Sequence, residues 1–239
     1  MIFTWATATH TGRVRTNNED SVGPRDMGVE TGPFVAGVAD GMGGHVGGEV
    51  ASRLALRAAL EADGDVVERL RAANLAVAEA AAADPGLRGM GTTLTLARFD
   101  GGTVEIGHVG DSRAYLLRDG NLRQITTDHS LVAEMVSRGE ISPEEADAHP
   151  YRNVITRALG LEPEVRIDRE RADLRHGDVV LVASDGLTGM VEDREIRDLL
   201  MEGEHPSDAV WTLVDAANAA GGVDNISVVV VEVGSDTGD

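Results

Sequence analysis

The sequence contains neither cysteine nor lysine, and aromatic residues make up only 3% of its 239 positions. The absence of cysteine excludes disulfide bonds, thiolate metal sites and cysteine nucleophiles. Because aromatic side chains are scarce, the core must consist mainly of valine, leucine, isoleucine and alanine. No run of about 18 apolar residues occurs, so the sequence predicts no membrane span. The first 15 residues lack a charged start and a long apolar stretch, so we expect no secretory signal and a cytoplasmic location.

Basic residues are also few in comparison with acidic ones. The 21 basic residues are all arginine, and 41 acidic residues outnumber them, which gives a formal net charge of −20. Nucleic acid is therefore not an expected partner, because binding to its phosphates requires a basic surface. The hydrophobic content of 42% is ordinary for a soluble globular protein. The length suits one large domain or two small ones, and no low-complexity linker marks a boundary.

Four aspartates lie at the ends of apolar, strand-like runs that are far apart in the sequence. They are Asp40 after residues 34–39, Asp111 after 104–110, Asp185 after 178–184 and Asp224 before 226–233. Asp-Gly, as at Asp40, is a common turn signal, and a plain turn is the alternative interpretation there. The recurrence of the pattern favours a shared site. If the strands end at one sheet edge, the carboxylates converge and would repel one another unless cations lie among them.

Carboxylate oxygens are hard ligands, which select magnesium, manganese or calcium over zinc. If Asp40 bridges two such ions, the ions can share a water and lower its pKa, so that hydroxide forms near neutral pH. Asp185 and Asp224 would then complete the shell of one ion, and the Gly41 carbonyl would bind the other. Such a centre suits the hydrolysis of a phosphate ester and needs no cysteine or serine nucleophile.

Arg15 is the candidate for holding the phosphoryl group, because a guanidinium offers a planar fork to two phosphate oxygens. The polar loop 12–20 that carries it also contains Glu19 and Asp20, which are suited to hold metal-bound waters. The alternative is a surface arginine without a role in the site.

Hydrophobic periodicity and turn signals predict alternating groups of strands and helices. Strands are predicted at residues 2–9, 34–39, 92–99, 103–109, 113–117, 122–125, 165–171, 179–183 and 226–233. Helices are predicted at 49–60, 65–83, 129–138, from 142, at 153–159, at 193–201 and at 206–220. The consecutive hairpins indicate antiparallel sheets, and the helices that follow each group of strands indicate sheets covered by helices.

Residues 126–163 change character, because they are polar and carry several short predicted helices between two strand-rich regions. We interpret them as a flap beside the working face, and the alternative is a solvated connector. We expect one domain over residues 1–234 and a disordered tail at 235–239.

Six motifs occur in the order found in bacterial members of the metal-dependent protein phosphatase family, type 2C. They are GRVRTNNEDS, VADGMGGH, GTTL, HVGDSRAYL, ASDGL and GVDNISVVV. The chain resembles this family over residues 5–233. The resemblance implies an α+β fold, a four-layer α-β-β-α sandwich of two antiparallel sheets flanked by helix pairs. It also implies hydrolysis of phosphoserine and phosphothreonine in proteins with Mn²⁺ or Mg²⁺.

The resemblance assigns roles by position in these motifs. Direct ligands of two ions correspond to Asp40, Asp185, Asp224 and the carbonyl of Gly41, and a ligand of a weaker third ion corresponds to Asp111. The phosphate-holding arginine corresponds to Arg15. Residues that support metal-bound waters or the loop correspond to Glu19, Asp20 and Asn225.

One position departs from the eukaryotic branch of the family, in which a histidine that follows Asp-Gly is proposed to protonate the leaving oxygen. Met42 stands at that position here, as in bacterial relatives, and the nearest histidine is His45. His45 is thus a candidate general acid. The alternatives are an ordinary loop histidine and a water on the third ion.

Competing functions are a catalytically silent domain that binds phosphorylated partners and a calcium-stabilised structural domain. The first is disfavoured because every expected ligand is present, and the second because no contiguous calcium-binding loop occurs. We therefore expect a monomeric phosphatase that acts on phosphorylated proteins, namely a bacterial serine/threonine kinase and its substrates.

Overall fold

The computed structural model describes residues 1–43 and 47–234. Over these residues the chain forms twelve β-strands and seven α-helices. The strands are β1 (Ile2–His10), β2 (Asp20–Gly23), β3 (Met27–Glu30), β4 (Phe34–Met42), β5 (Gly91–Thr92), β6 (Leu94–Asp100), β7 (Thr103–Val109), β8 (Arg113–Arg118), β9 (Asn121–Gln124), β10 (Asp168–Asp173), β11 (Val179–Ala183) and β12 (Ile226–Gly234). The helices are α1 (Gly47–Glu61), α2 (Val66–Ala83), α3 (Leu131–Ser137), α4 (Pro143–Asp147), α5 (Asp185–Thr188), α6 (Asp193–Glu202) and α7 (Pro206–Ala219).

Two antiparallel six-stranded sheets lie face to face between two layers of helices. The first sheet has the order β3-β1-β12-β11-β8-β9, and the second has the order β10-β7-β6-β4-β2 with β5 paired to β4. Helices α1 and α2 pack on the outer face of the second sheet, and α6 and α7 pack on that of the first. The predicted four-layer α-β-β-α sandwich is confirmed.

The valine-rich run of β12 follows from this layering, because the strand is buried on both faces. Successive side chains of a strand point to opposite faces. Val229 and Val231 therefore pack between the sheets, whereas Val228 and Val230 pack against the helices. A central strand of this kind needs an unbroken apolar sequence, which explains why the pattern does not alternate.

Helix α2 begins at the capping box that the sequence predicts. The Asp65 carboxylate accepts hydrogen bonds from the backbone N–H groups of Val67 and Glu68, both at 3.0 Å. The Glu68 carboxylate accepts one from the backbone N–H of Asp65, also at 3.0 Å. The two residues thus satisfy donors that the first turn would otherwise leave unpaired.

The structure differs from the sequence prediction at several strands. Strand β4 continues through Asp40 to Met42, because its end pairs with Asp20 in β2 and with Thr92 in β5. Strands β2 and β3 were not predicted, since each has only four residues beside polar and glycine-rich turns. Strand β10 runs over Asp168–Asp173 rather than 165–171.

The predicted helix at 153–159 is wrong. This segment lies extended between neighbouring strands and loops, and its backbone forms bridges from Ile155 to Ser130 and from Leu159 to Thr92. The backbone groups that a helix would pair internally are thereby used in tertiary contacts, which outweigh the local helical pattern. The rest of the flap carries α3 and α4, as the sequence indicates.

No helix in the described ranges is long and apolar enough to cross a membrane. Residues 235–239, for which we expect a disordered tail, and His45 lie outside the described residues.

Candidate metal centre

The structure brings the four aspartates to one cavity of about 510 Å³. Asp40 lies near the end of β4, Asp111 follows β7, Asp185 begins α5 and Asp224 precedes β12. The cavity is also lined by Arg15, Glu19, Gly41 and Asn225. Asp20 lies behind this lining, where it is buried and its carboxylate accepts a hydrogen bond of 2.8 Å from the Ser184 hydroxyl.

The glycines that follow Asp40 and Asp185 have a packing reason. A Cβ atom on Gly41 would overlap the carbonyl oxygen of Gly48, and one on Gly186 would overlap that of Asn225. Because only glycine permits these approaches, each Asp-Gly pair lies directly against the backbone of another segment.

Crowding of the carboxylates disfavours their charged forms. Burial raises the pKa of Asp40 well above its usual range, and repulsion from Asp20 and Asp185 adds to this. Burial also raises the pKa of Asp20 to about 8 and that of Asp111 to about 7, with Asp185 contributing to both. The pKa of Asp185 is raised by burial and by Asp224.

Two carboxylate oxygens, Oδ1 of Asp20 and Oδ1 of Asp185, are buried without a hydrogen-bond partner within the described part of the chain. A buried, unpaired carboxylate is costly, and a cation removes both this cost and the mutual repulsion. Across residues 1–43 and 47–234, no three acidic or histidine side chains form a group that would hold one ion by themselves. Side-chain and carbonyl oxygens are donors that fit Mg²⁺ or Mn²⁺, which keep several waters.

Arg15 lies at the mouth of the cavity. Its NH2 group donates a hydrogen bond of 2.7 Å to Oδ2 of Asp224, and its side chain is 55% exposed. The hydrogen bond to Asp224 raises the pKa of Arg15 further above its usual value. Arg15 therefore stays charged and faces both a carboxylate and the solvent-filled cavity.

Asn225 joins the loop that carries Arg15 to the start of β12. Its side-chain oxygen accepts a hydrogen bond of 2.7 Å from the backbone N–H of Glu19. Its amide nitrogen donates to the carbonyl oxygens of Thr11 at 2.9 Å and Asn17 at 2.8 Å. The buried Asn225 thus holds the ends of the loop against Asp224.

Thr93 is a residue of the site that the sequence analysis did not single out, although it belongs to the GTTL motif. Its hydroxyl accepts a hydrogen bond of 2.9 Å from the backbone N–H of Asp40, and its own N–H donates to the Asp40 carbonyl at 2.8 Å. Both backbone groups of Asp40 are thereby fixed by one residue. Two flap residues, Asn153 and Ile155, also line the cavity.

His129, at the start of the flap, holds the residue before Asp111. The backbone N–H of Gly110 donates to Nδ1 of His129 at 3.0 Å, and the N–H of His129 donates to the Gly110 carbonyl at 2.7 Å. Nε2 of the same ring lies 3.2 Å from Oδ2 of Asp168 and 2.9 Å from NH1 of Arg157. Burial lowers the pKa of this ring, and the contact with Asp168 opposes that shift.

Comparison with known proteins decides the family. The model of the family described as protein phosphatase 2C matches residues 9–210. The chain belongs to the protein phosphatase 2C family. The prediction of this family is confirmed.

Several protein phosphatase 2C relatives are similar over nearly the whole chain. The serine/threonine protein phosphatase PstP of Mycobacterium tuberculosis is 42% identical over 98% of this chain, which spans 45% of the length of PstP. The serine/threonine phosphatase stp of Listeria monocytogenes is 40% identical over 94% of this chain and 93% of its own. A crystal structure of the M. tuberculosis PstP has a TM-score of 0.89 at 40% identity and covers 98% of this chain and 100% of that one.

Another structure is described as the catalytic domain of PstP in complex with two manganese ions. It has a TM-score of 0.85 at 40% identity, and the match covers 98% of this chain and 99% of that one. The relative therefore binds two manganese ions in a fold that closely matches the present one.

Proposed function

We propose that this chain hydrolyses phosphoserine and phosphothreonine in proteins with two Mn²⁺ or Mg²⁺ ions, and that Asp111 takes part in binding a third, weaker ion. The observation that carries the proposal is the convergence of Asp40, Asp111, Asp185 and Asp224 on one cavity whose mouth holds Arg15. When bound, the ions supply an activated water for attack on the phosphorus.

Asp40, Asp185, Asp224 and the Gly41 carbonyl would hold the two ions. Asp40 is central to this set, because burial and repulsion from the neighbouring acids, among them Asp20 and Asp185, raise the pKa of its carboxyl. Glu19 and Asp20 would hold waters of the ions. Thr93 and Asn225 would fix Asp40 and the Arg15 loop, respectively, since each forms several hydrogen bonds to backbone groups there.

Arg15 would bind two oxygens of the phosphoryl group and orient the phosphorus toward the ions. Its exposed guanidinium lies within reach of the cavity, and a planar fork matches the geometry of a phosphate. The position of Arg15 at the mouth of the cavity favours a substrate whose phosphate enters the cavity first.

We also propose that the protein acts as a cytoplasmic monomer and opposes a bacterial serine/threonine kinase by dephosphorylating the kinase and its targets. The names of the relatives, which are serine/threonine phosphatases, support the dephosphorylation of serine and threonine residues. Phosphoproteomics of a deletion strain would identify the targets as sites whose phosphorylation rises.

The proposal is tested by release of p-nitrophenol from p-nitrophenyl phosphate and of phosphate from a phosphothreonine peptide. We expect turnover with Mn²⁺, none with excess chelator, and a loss of about 100-fold or more in Asp185→Asn, because one ion loses a charged ligand. Isothermal titration with Mn²⁺ should show weaker binding in the same variant. Turnover that persists in chelator, or no turnover under any condition, would reject the proposal.

A further inference from the structure

A second cavity, of about 1010 Å³, opens beside the metal cavity. One wall consists of α3 and α4 of the flap, and the other of residues 188–193, between α5 and α6. Asp111, Asn153 and Asp185 line both cavities. This flap groove therefore begins where the phosphoryl group would lie and runs away from it between the two walls.

The flap groove has an apolar lining on both walls. Val132 and Val136 of α3 face it from the flap, and Met190 and Val191 face it from the opposite side. Val136 and Met190 are partly exposed, and the other two are buried. Apolar surface in an open groove beside a reaction site is suited to be covered by an apolar side chain of a ligand.

The charges of the flap groove are unbalanced beyond the metal ligands. Arg113 and Asp128 neutralise each other, because Nε and NH2 of the arginine donate to the carboxylate at 2.8–3.1 Å. Apart from this pair and the metal ligands, three carboxylates and one guanidinium line the flap groove. They are Asp147, Glu192 and Asp193, and the guanidinium is that of Arg152.

These carboxylates lie on both walls and are exposed. Asp147 belongs to the flap, whereas Glu192 and Asp193 lie opposite it. Among the ion pairs of the described residues, none involves Asp147, Glu192 or Asp193. Asp193 accepts a hydrogen bond of 3.0 Å from the Tyr115 hydroxyl. Arg152 lines the flap groove but not the metal cavity, and its single charge leaves the three carboxylates in excess.

We propose that the flap groove binds the substrate polypeptide next to the phosphorylated residue and prefers an apolar side chain together with a flanking arginine or lysine. The inference rests on the proposed phosphatase activity. Carboxylates on two facing walls attract a cation between them, and complementary charge speeds encounter and fixes the orientation of a ligand. A small phosphate ester does not extend into the groove, so the preference is confined to peptides.

The test compares two phosphothreonine peptides that carry either arginine or glutamate at the flanking basic position and are otherwise identical. At low ionic strength we expect the kcat/KM of the arginine peptide to be higher by about three- to tenfold, a range typical of exposed charge pairs. The double variant Asp147→Asn/Glu192→Gln should reduce this ratio to below about twofold. A matched double variant outside the groove, Glu195→Gln/Glu202→Gln, changes the net charge equally and should keep the ratio.

Each peptide rate is divided by the rate of the same variant on p-nitrophenyl phosphate. This ratio separates the peptide preference of the flap groove from the proposed phosphatase activity. If the protein hydrolyses p-nitrophenyl phosphate but acts on both peptides at equal rates, the inference is overturned and the proposed function is not. Equal loss of preference in both double variants would also overturn it, because the net charge rather than the groove would then select the peptide. Metal-independent turnover or no turnover of the small ester would overturn the proposed function and, with it, the inference.

Discussion

Asp224 has two roles in the cavity that compete for its oxygens. One oxygen, Oδ2, accepts the 2.7 Å hydrogen bond from Arg15, and the same carboxylate is a proposed metal ligand. The other, Oδ1, accepts a hydrogen bond of 2.8 Å from the backbone N–H of Asn225. An ion bound to Asp224 would weaken its hold on Arg15 and leave the guanidinium free for a phosphoryl group.

Replacing Arg15 should therefore affect catalysis and not folding. We expect Arg15→Ala to lower kcat/KM on a phosphopeptide by about 30- to 150-fold, because charge-assisted hydrogen bonds to the phosphate contribute about 2–3 kcal/mol. Steady-state kinetics measure this, with Arg13→Ala in the same loop as control. The free energy of unfolding should change by less than about 1 kcal/mol, since the pair with Asp224 is largely exposed. Equal losses in both variants would contradict the role.

His45 is tested through the leaving group. A general acid matters for a poor leaving group such as serine and little for p-nitrophenolate, which leaves without a proton. If His45 is the acid, His45→Ala should lower the rate on phosphoserine peptides by about 100-fold and leave p-nitrophenyl phosphate nearly unchanged. Equal losses on both substrates would rule out the acid role and favour a water.

At the scale of elements, the flap is joined to the loop between β7 and β8 through the paired hydrogen bonds of His129 and Gly110. This loop carries Asp111, the proposed ligand of the third ion. The position of the flap and the affinity for that ion should therefore depend on each other, because one buried residue contacts both.

Removal of the imidazole tests this coupling. His129→Ala leaves the buried N–H of Gly110 without an acceptor, which should lower the free energy of unfolding by about 1–3 kcal/mol. We also expect a higher Mn²⁺ concentration for half-maximal activity, since Asp111 is no longer held. Thermal melting and Mn²⁺ titrations of phosphatase activity measure the two effects, with His149→Ala elsewhere in the flap as control. If the Mn²⁺ concentration for half-maximal activity is unchanged, His129 contributes to packing but does not affect binding of the ion at Asp111.

Local signals predicted the elements with strong patterns, such as α2 with its capping box and the β6–β7 hairpin. The sequence also indicated the four aspartates at strand ends, because an acid that interrupts an apolar run is visible without a structure. It did not reveal Thr93, His129 or Asn153, whose roles depend on contacts between distant segments. The extended segment 153–159 was missed for the same reason, since its backbone partners lie elsewhere in the chain.

For the whole molecule, the crowded aspartates make stability depend on pH and on metal. In metal-free protein the folded-state pKa of Asp20 is about 8 and that of Asp111 about 7, against about 3.9 when unfolded. Between about pH 4 and pH 8 the folded state therefore binds more protons than the unfolded state does. The contribution of these two groups to the free energy of unfolding is fully present below about pH 4 and is lost as pH rises toward 8.

The melting temperature of chelator-treated protein should therefore fall between pH 6 and pH 8. Adding Mn²⁺ at about 100 times its Kd should restore about 2.7 kcal/mol per ion at pH 8. Thermal melts with and without Mn²⁺ at both pH values measure this, and Asp185→Asn, which removes one charge, should show a weaker pH dependence without metal. The same pH dependence with and without Mn²⁺ would contradict the explanation.

The pairing of β1 with β12 and the hydrogen bonds of Asn225 to Thr11, Asn17 and Glu19 bring the two ends of the domain into one site. A chain still being translated has its arginine loop outside the ribosome long before Asp224 and Asn225 emerge. We therefore expect the proposed phosphatase activity to arise only when synthesis of residues 1–234 is nearly finished, so that a nascent chain without Asp224 and Asn225 removes no phosphates.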